Sequence, residues 1–188
     1  MVIQLNERVI VMNYENTPGT VQVYTGNGKG KTTAAFGLAL RALGHGKKVG
    51  IVQFMKGDRN YGEFHAIQTF NNVTISMEGK DCFVDRDNPS QEDEDMAQEG
   101  LNKADKMITS NDFDLIILDE INVAIFYNLV TVNQVVNLIN KKPKKLELVL
   151  TGRYARQEII EMADLVSEIQ EIKHHFRSGI GMRKGVEY

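Results

Sequence analysis

A nine-residue run, Thr25-Gly26-Asn27-Gly28-Lys29-Gly30-Lys31-Thr32-Thr33, constrains this chain more than any other feature. It separates a β-branched and aromatic stretch, VQVYT (21–25), from an Ala/Leu-rich stretch with helical spacing, TTAAFGLALRALG (32–44). Strand, glycine loop and helix in that order is the setting a phosphate loop requires. Glycines let the backbone curl until successive N–H groups point inward as a nest for anionic oxygens. The helix that follows adds unpaired N–H groups and partial positive charge. Gly26, Asn27, Gly28, Lys29, Gly30, Lys31, Thr32 and Thr33 are therefore candidate nucleotide contacts. Lys31 brings a mobile positive charge to the phosphates, and the Thr32 hydroxyl suits a magnesium ion. The usual G-x-x-x-x-G-K-[ST] spacing would put its first glycine at Thr25; this chain has the shorter form G-x-x-x-G-K-T.

The rest of the chain supplies the sheet that such a loop needs. KVGIVQF (48–54), VTISM (73–77), DLIILDE (114–120), LELVLTG (146–152) and LVSEIQEI (165–172) read as strands. Helices are expected at 32–44, capped by Gly44, at 91–108 with acids in its first turn, at 131–140 and at 157–163. Strands apolar through their length and separated by helices signify a mainly parallel sheet covered on both faces, a three-layer α/β fold. Residues 1–19, ending at the Pro18-Gly19 turn signal, are expected to form a short strand or extended arm. No repeat or linker divides the 188 residues, which predicts a single domain over 1–188.

The second chemical signal is Leu115-Ile116-Ile117-Leu118-Asp119-Glu120. An apolar strand ending in acids opens on the crevice where open α/β sheets hold ligands. Asp119 and Glu120 are candidate magnesium carboxylates, the alternative being a helix cap. Together the two segments point to a magnesium–nucleoside triphosphate. Arg153 follows the LELVLTG strand at the expected ligand edge, where two readings stand: a guanidinium that reaches phosphate, or a structural arginine. Other features favour plainer roles. His174 and His175, adjacent on an expected strand, would point to opposite faces. Cys82 lacks partnered metal-ligand spacing, Glu92–Asp95 reads as a solvated helix start, and Lys141–Lys145 as a charged turn.

Composition sets the exclusions. A net charge of −3 offers no field for nucleic acid, and no apolar run approaches the ~20 residues that span a bilayer. The start lacks the basic and small-residue pattern of a secretory signal, and one cysteine forms no intrachain disulfide. A cytoplasmic protein is the expectation.

Read together, GNGKGKTTAAFGLALRALGHGKKVGIVQFMKG (26–57), LIILDEI (115–121), LTGRYARQEIIEMADLVSEIQEIKH (150–174) and GIGMRKGVEY (179–188) resemble the phosphate-loop type of corrinoid adenosyltransferase, ATP:cob(I)alamin adenosyltransferase. The short loop is part of that family's pattern. The resemblance implies a RecA-like P-loop fold and transfer of the 5′-deoxyadenosyl group of ATP to the cobalt of a reduced corrinoid, with release of triphosphate. It implies magnesium or manganese, a homodimer, an electron donor such as a flavoprotein, and a role in adenosylcobalamin biosynthesis or salvage. Carried over by position, Gly26 to Thr32 would wrap the triphosphate, Lys31 would aid catalysis, and Thr32 with Glu120 would hold the metal. Arg41 and Arg153 match family arginines near the nucleotide. Phe83 matches an aromatic that displaces the lower axial ligand of cobalt and so eases reduction. Better-known members carry a Phe-x-Trp pair there; this chain has no tryptophan, and Val84 and Asp85 follow Phe83. From the loop and the Leu-Asp-Glu strand alone, two other readings stand: a RecA-like ATPase acting with a macromolecular partner, and a nucleotide-sensing module.

Overall fold

The computed structural model describes residues 2–5, 8–11, 17–81 and 84–188. Strands β1 (Val2–Leu5) and β2 (Arg8–Val11) pair antiparallel with Val2 opposite Val11, within the stretch expected to be a strand or extended arm, of which residues 1, 6–7 and 12–16 lie outside the described residues. The main chain of elements then runs β3 (Val21–Thr25), α1 (Lys31–Gly44), β4 (Val49–Phe54), α2 (Gly62–Ile67), β5 (Val73–Glu78), α3 (Gln91–Ser110) and β6 (Leu115–Asp119). It continues through α4 (Ile121–Phe126), α5 (Val132–Lys141), β7 (Glu147–Thr151), α6 (Gln157–Met162) and β8 (Leu165–Glu168), and a short 3-10 helix covers His175–Ser178.

Six strands form one wholly parallel sheet in the order β5-β4-β6-β7-β3-β8. Successive strand residues face opposite sides, which is why the central strands are apolar throughout. On β6, Leu115 and Ile117 join Ala35, Phe36 and Ala39 of α1 in one core. Ile116 and Leu118 join Leu101 and Ile108 of α3 and Val135 of α5 in the other. The three-layer α/β expectation is met.

Local chemistry sets the helix ends. Ser90 caps α3 reciprocally with Asp93, and Thr131 caps α5 with Gln134, each pair satisfying backbone N–H groups that the first turn leaves open. Gly44 is the last residue of α1 rather than its cap, which falls at His45. The left-handed residue is Gly46 (φ 73°), whose N–H donates to the Leu43 carbonyl. Strand β8 stops at Glu168, short of 172, because the next residues turn to pack on the glycine loop. His174 and His175 consequently lie off any strand. Their rings stack 4.6 Å apart at the entry to the 3-10 helix, where His174 Nδ1 accepts from the Phe176 N–H.

Candidate active site

The loop leaves the C-terminal end of β3 and curls before α1. Gly26 (φ 94°) and Gly30 (φ 121°) occupy backbone conformations that side chains disfavour. Gly28 donates its N–H to the Ile169 carbonyl at 2.7 Å, and a β-carbon there would lie 2.7 Å from the Gln170 carbonyl oxygen. Lys31 folds back into the curl, donating to the carbonyls of Gly26 and Gly28, each at 2.7 Å. Burial pushes its ammonium below the usual lysine range, against the pull of Glu120 and Asp119.

Asp119 is the hub of the site and is completely buried. One carboxylate oxygen accepts from the hydroxyls of Thr32 (3.0 Å) and Thr151 (2.6 Å). The other accepts from Gln53 (3.0 Å) and from the Lys56 ammonium (2.7 Å), which also reaches the Thr32 hydroxyl oxygen at 3.2 Å. Burial alone would raise this carboxyl. The Lys56 charge and the hydrogen bonds from Lys56, Thr151 and Gln53 outweigh it and hold the group below the usual aspartate range. Lys56 is raised in turn, since Asp119 and Glu120 outweigh its own burial. Sheet register builds this cluster: Gln53 of β4 is paired directly with Asp119 of β6, and Thr151 ends the neighbouring β7.

Glu120 differs from its neighbour. Its backbone is left-handed (φ 62°), held by its N–H donating to Thr151 Oγ1 at 2.9 Å, and it forms the N-cap position of α4. Among the described residues no group donates a hydrogen bond to its carboxylate. Burial, followed by the charge of Asp119, raises its pKa, with Lys56, Lys31 and Arg153 pulling the other way. Met55 (φ 58°) and Tyr154 (φ 63°) share this rare conformation, so backbone strain gathers where β4, β6 and β7 end.

The structure therefore brings together the loop, Lys31, Thr32, Asp119 and Glu120. Arg153 follows Gly152 beyond β7; it lines a cavity of about 370 Å³ with Asn27 of the loop, and its charge acts on both Lys31 and Glu120. Thr33 is exposed on the first turn of α1. Arg41 is exposed in the last turn of that helix, ten residues on and about 15 Å along its axis from Lys31, so this chain does not bring it to its own loop. Phe83 and Cys82 lie outside the described residues. Lys56, Gln53 and Thr151 were not among the residues singled out from sequence, although V-Q-F-x-K-G and T-G-R, two of the motifs carrying the resemblance, contain them.

A phosphate loop at the carboxyl edge of a parallel sheet, facing a threonine–aspartate cluster, defines a RecA-like P-loop nucleotide-binding protein. The fold agrees with the KaiC-like protein of Pyrococcus horikoshii, at a TM-score of 0.54 and 20% identity over 83% of this chain and 75% of that one. The chain belongs to the ATP:corrinoid adenosyltransferase family BtuR/CobO/CobP, whose model matches residues 17–188. It is 36% identical to the corrinoid adenosyltransferase of Escherichia coli K12, over 95% of this chain and 90% of that protein. It is 40% identical to the one from Sinorhizobium, over 90% and 80%.

Proposed function

We propose that this protein transfers the 5′-deoxyadenosyl group of ATP to the cobalt of cob(I)alamin or a related corrinoid and releases triphosphate. The observation that carries the reading is the loop with Lys31 inside it and Thr32 tethered to Asp119, in a chain that belongs to the family over residues 17–188. Cob(I)alamin supplies the electron pair that forms the cobalt–carbon bond at C5′. The C5′–oxygen bond breaks, and its electron pair leaves on the α-phosphate end of the triphosphate. Charge builds on that leaving group, and the loop N–H groups, Lys31 and Lys29 are the donors that stabilise it. No proton needs to move to or from the protein, so no general base is required.

Magnesium or manganese fits the residues present. Thr32 and Glu120 offer hard oxygens, and Glu120 keeps its carboxylate free of protein hydrogen bonds among the described residues. Asp119, with both oxygens engaged by protein donors, would act by orienting Thr32 rather than as a ligand. The cation would supply Lewis-acid stabilisation of the triphosphate. We place Phe83 on the corrinoid side and Arg153 on the nucleotide side; Arg41, away from this chain's own phosphate loop, is given to the nucleotide by the family resemblance alone and not by the geometry. The same reading takes residues 1–188 as one domain, active as a homodimer in the cytoplasm with a flavoprotein donor, in cobalamin biosynthesis or salvage. Among the described residues no helix is long and apolar enough to cross a membrane. Incubation with ATP, magnesium, a strong reductant and cobalamin should give the light-sensitive spectrum of an alkylcobalamin. An unchanged corrinoid spectrum, with ATP returned intact, would reject the reading.

A further inference from the structure

Lys29, at the crest of the loop, is held by a segment more than 150 residues away. Its ammonium donates to Glu187 Oε1 at 3.1 Å and to the Val186 carbonyl at 3.2 Å. Arg183 clasps the same carboxylate from the other side: Nη2 lies 3.0 Å from Oε1, Nε 3.2 Å from Oε2, and the backbone N–H 2.8 Å from Oε2. His175 Nε2 stands 3.5 Å from Oε1. The hydrogen bonds from the Arg183 side chain and backbone and from Lys29, with the Arg183 charge, outweigh the effect of burial and take the Glu187 pKa down to about 2. Exposure is divided in a telling way. The Glu187 side chain is 8% exposed, whereas Lys29 and Arg183 are 43% and 54% exposed. One covered anion gathers two cations that still face solvent, leaving net positive charge beside the phosphate loop. The segment is seated as well as tethered. Gly185, Val186 and Tyr188 close one side of a cavity of about 420 Å³ whose other walls include Phe36 and Leu40 of α1, with Lys29 and Thr33 at its loop end.

We propose that Glu187 is a positioning residue of the nucleotide site: it fixes Lys29 at the lip of the loop and sets Arg183 beside it, so that both cations meet the triphosphate of ATP. This rests on the nucleotide reading above and adds a contribution from residues 183–188 to it. Because Lys29 and Arg183 donate to the same oxygen, a polyphosphate that contacts one lies within reach of the other. Holding both in place before binding removes part of the ordering cost of two long side chains.

The test is direct titration, without corrinoid, of the wild-type chain, Glu187→Gln, Lys29→Ala and the double variant, using magnesium ATP and inorganic tripolyphosphate. Glu187→Gln should weaken both ligands about fivefold or more, since both present the same anion. In the Lys29→Ala background the same change should cost less than it does in the wild-type chain, because the part of its effect that runs through Lys29 is already gone and only the part through Arg183 is left. Should Glu187→Gln lower the melting temperature, Glu187→Asp carries the test: it keeps the charge but draws the carboxylate back from Lys29 and Arg183, and the same losses are expected. Unchanged or tighter binding in Glu187→Gln, the latter marking Glu187 as an internal competitor, would overturn the assignment, and so would full additivity with Lys29→Ala. A wild-type chain that binds neither ligand would overturn the nucleotide reading along with it, whereas wild-type binding that ignores Glu187 overturns the assignment alone.

Discussion

Lys56 is the residue whose removal should cost most. Asp119 is wholly buried, and of its four donors only Lys56 carries charge. Lys56→Met leaves an uncompensated buried carboxylate and should destabilise the chain by about 3–5 kcal/mol in urea unfolding. Asp119 and Glu120 respond to pH in opposite senses. The lowered Asp119 carboxyl contributes stability above the ordinary aspartate pKa that is lost as pH falls through its folded value. The raised Glu120 carboxyl costs stability once pH exceeds its unfolded pKa, because the folded chain resists losing that proton. Glu120→Gln should therefore raise the melting temperature of the nucleotide-free protein at neutral pH, and the gain should vanish in acid, below the ordinary glutamate pKa, where Glu120 is protonated in the folded and the unfolded chain alike. The same variant should lose metal-dependent ATP binding. Thermal unfolding across pH, paired with ATP titration, checks both halves.

At the scale of elements, the loop and the end of β8 form one unit. A β-carbon at Gly28 would meet the Gln170 carbonyl oxygen at 2.7 Å, and one at Gly26 the Ile169 oxygen at 2.5 Å, so neither position has room for a side chain. Gly28→Ala should weaken ATP binding about tenfold or more with only a modest loss of stability, because the clash lies at the loop rather than in either core. Isothermal titration beside a melting curve separates the two effects. This coupling also explains what the sequence conveyed and what it hid. The loop, the apolar strands and the Asp119-Glu120 pair are local patterns with local causes, and they stand where expected. Gln53 and Thr151 become functional only through pairing of β4 with β6 and of β6 with β7, which no spacing along the chain reveals. Helices α2 and α4 are six residues each, too short to show a 3.6-residue period, and α4 (INVAIF) is apolar on nearly every side. The LVSEIQEI run looked like one long strand because Ile169 and Gln170 keep an alternating pattern while serving the loop instead.

At the scale of the molecule, the strand order sets the chemistry. Placing β7 between β3 and β6 puts Thr151 between the glycine loop and the acids, so loop and carboxylates share one edge of the sheet. In the ligand-displacing role proposed for Phe83, Phe83→Ala should slow reaction from cob(II)alamin plus reductant more than reaction from preformed cob(I)alamin. Equal losses in the two assays would remove it from ligand displacement. The central claim is that carbon, not phosphorus, is attacked. Phosphorus NMR of a complete reaction, with the cobalt–carbon bond measured in parallel, tests it most directly. One intact tripolyphosphate should appear for each bond formed, whereas ADP and inorganic phosphate as the stoichiometric products would contradict it.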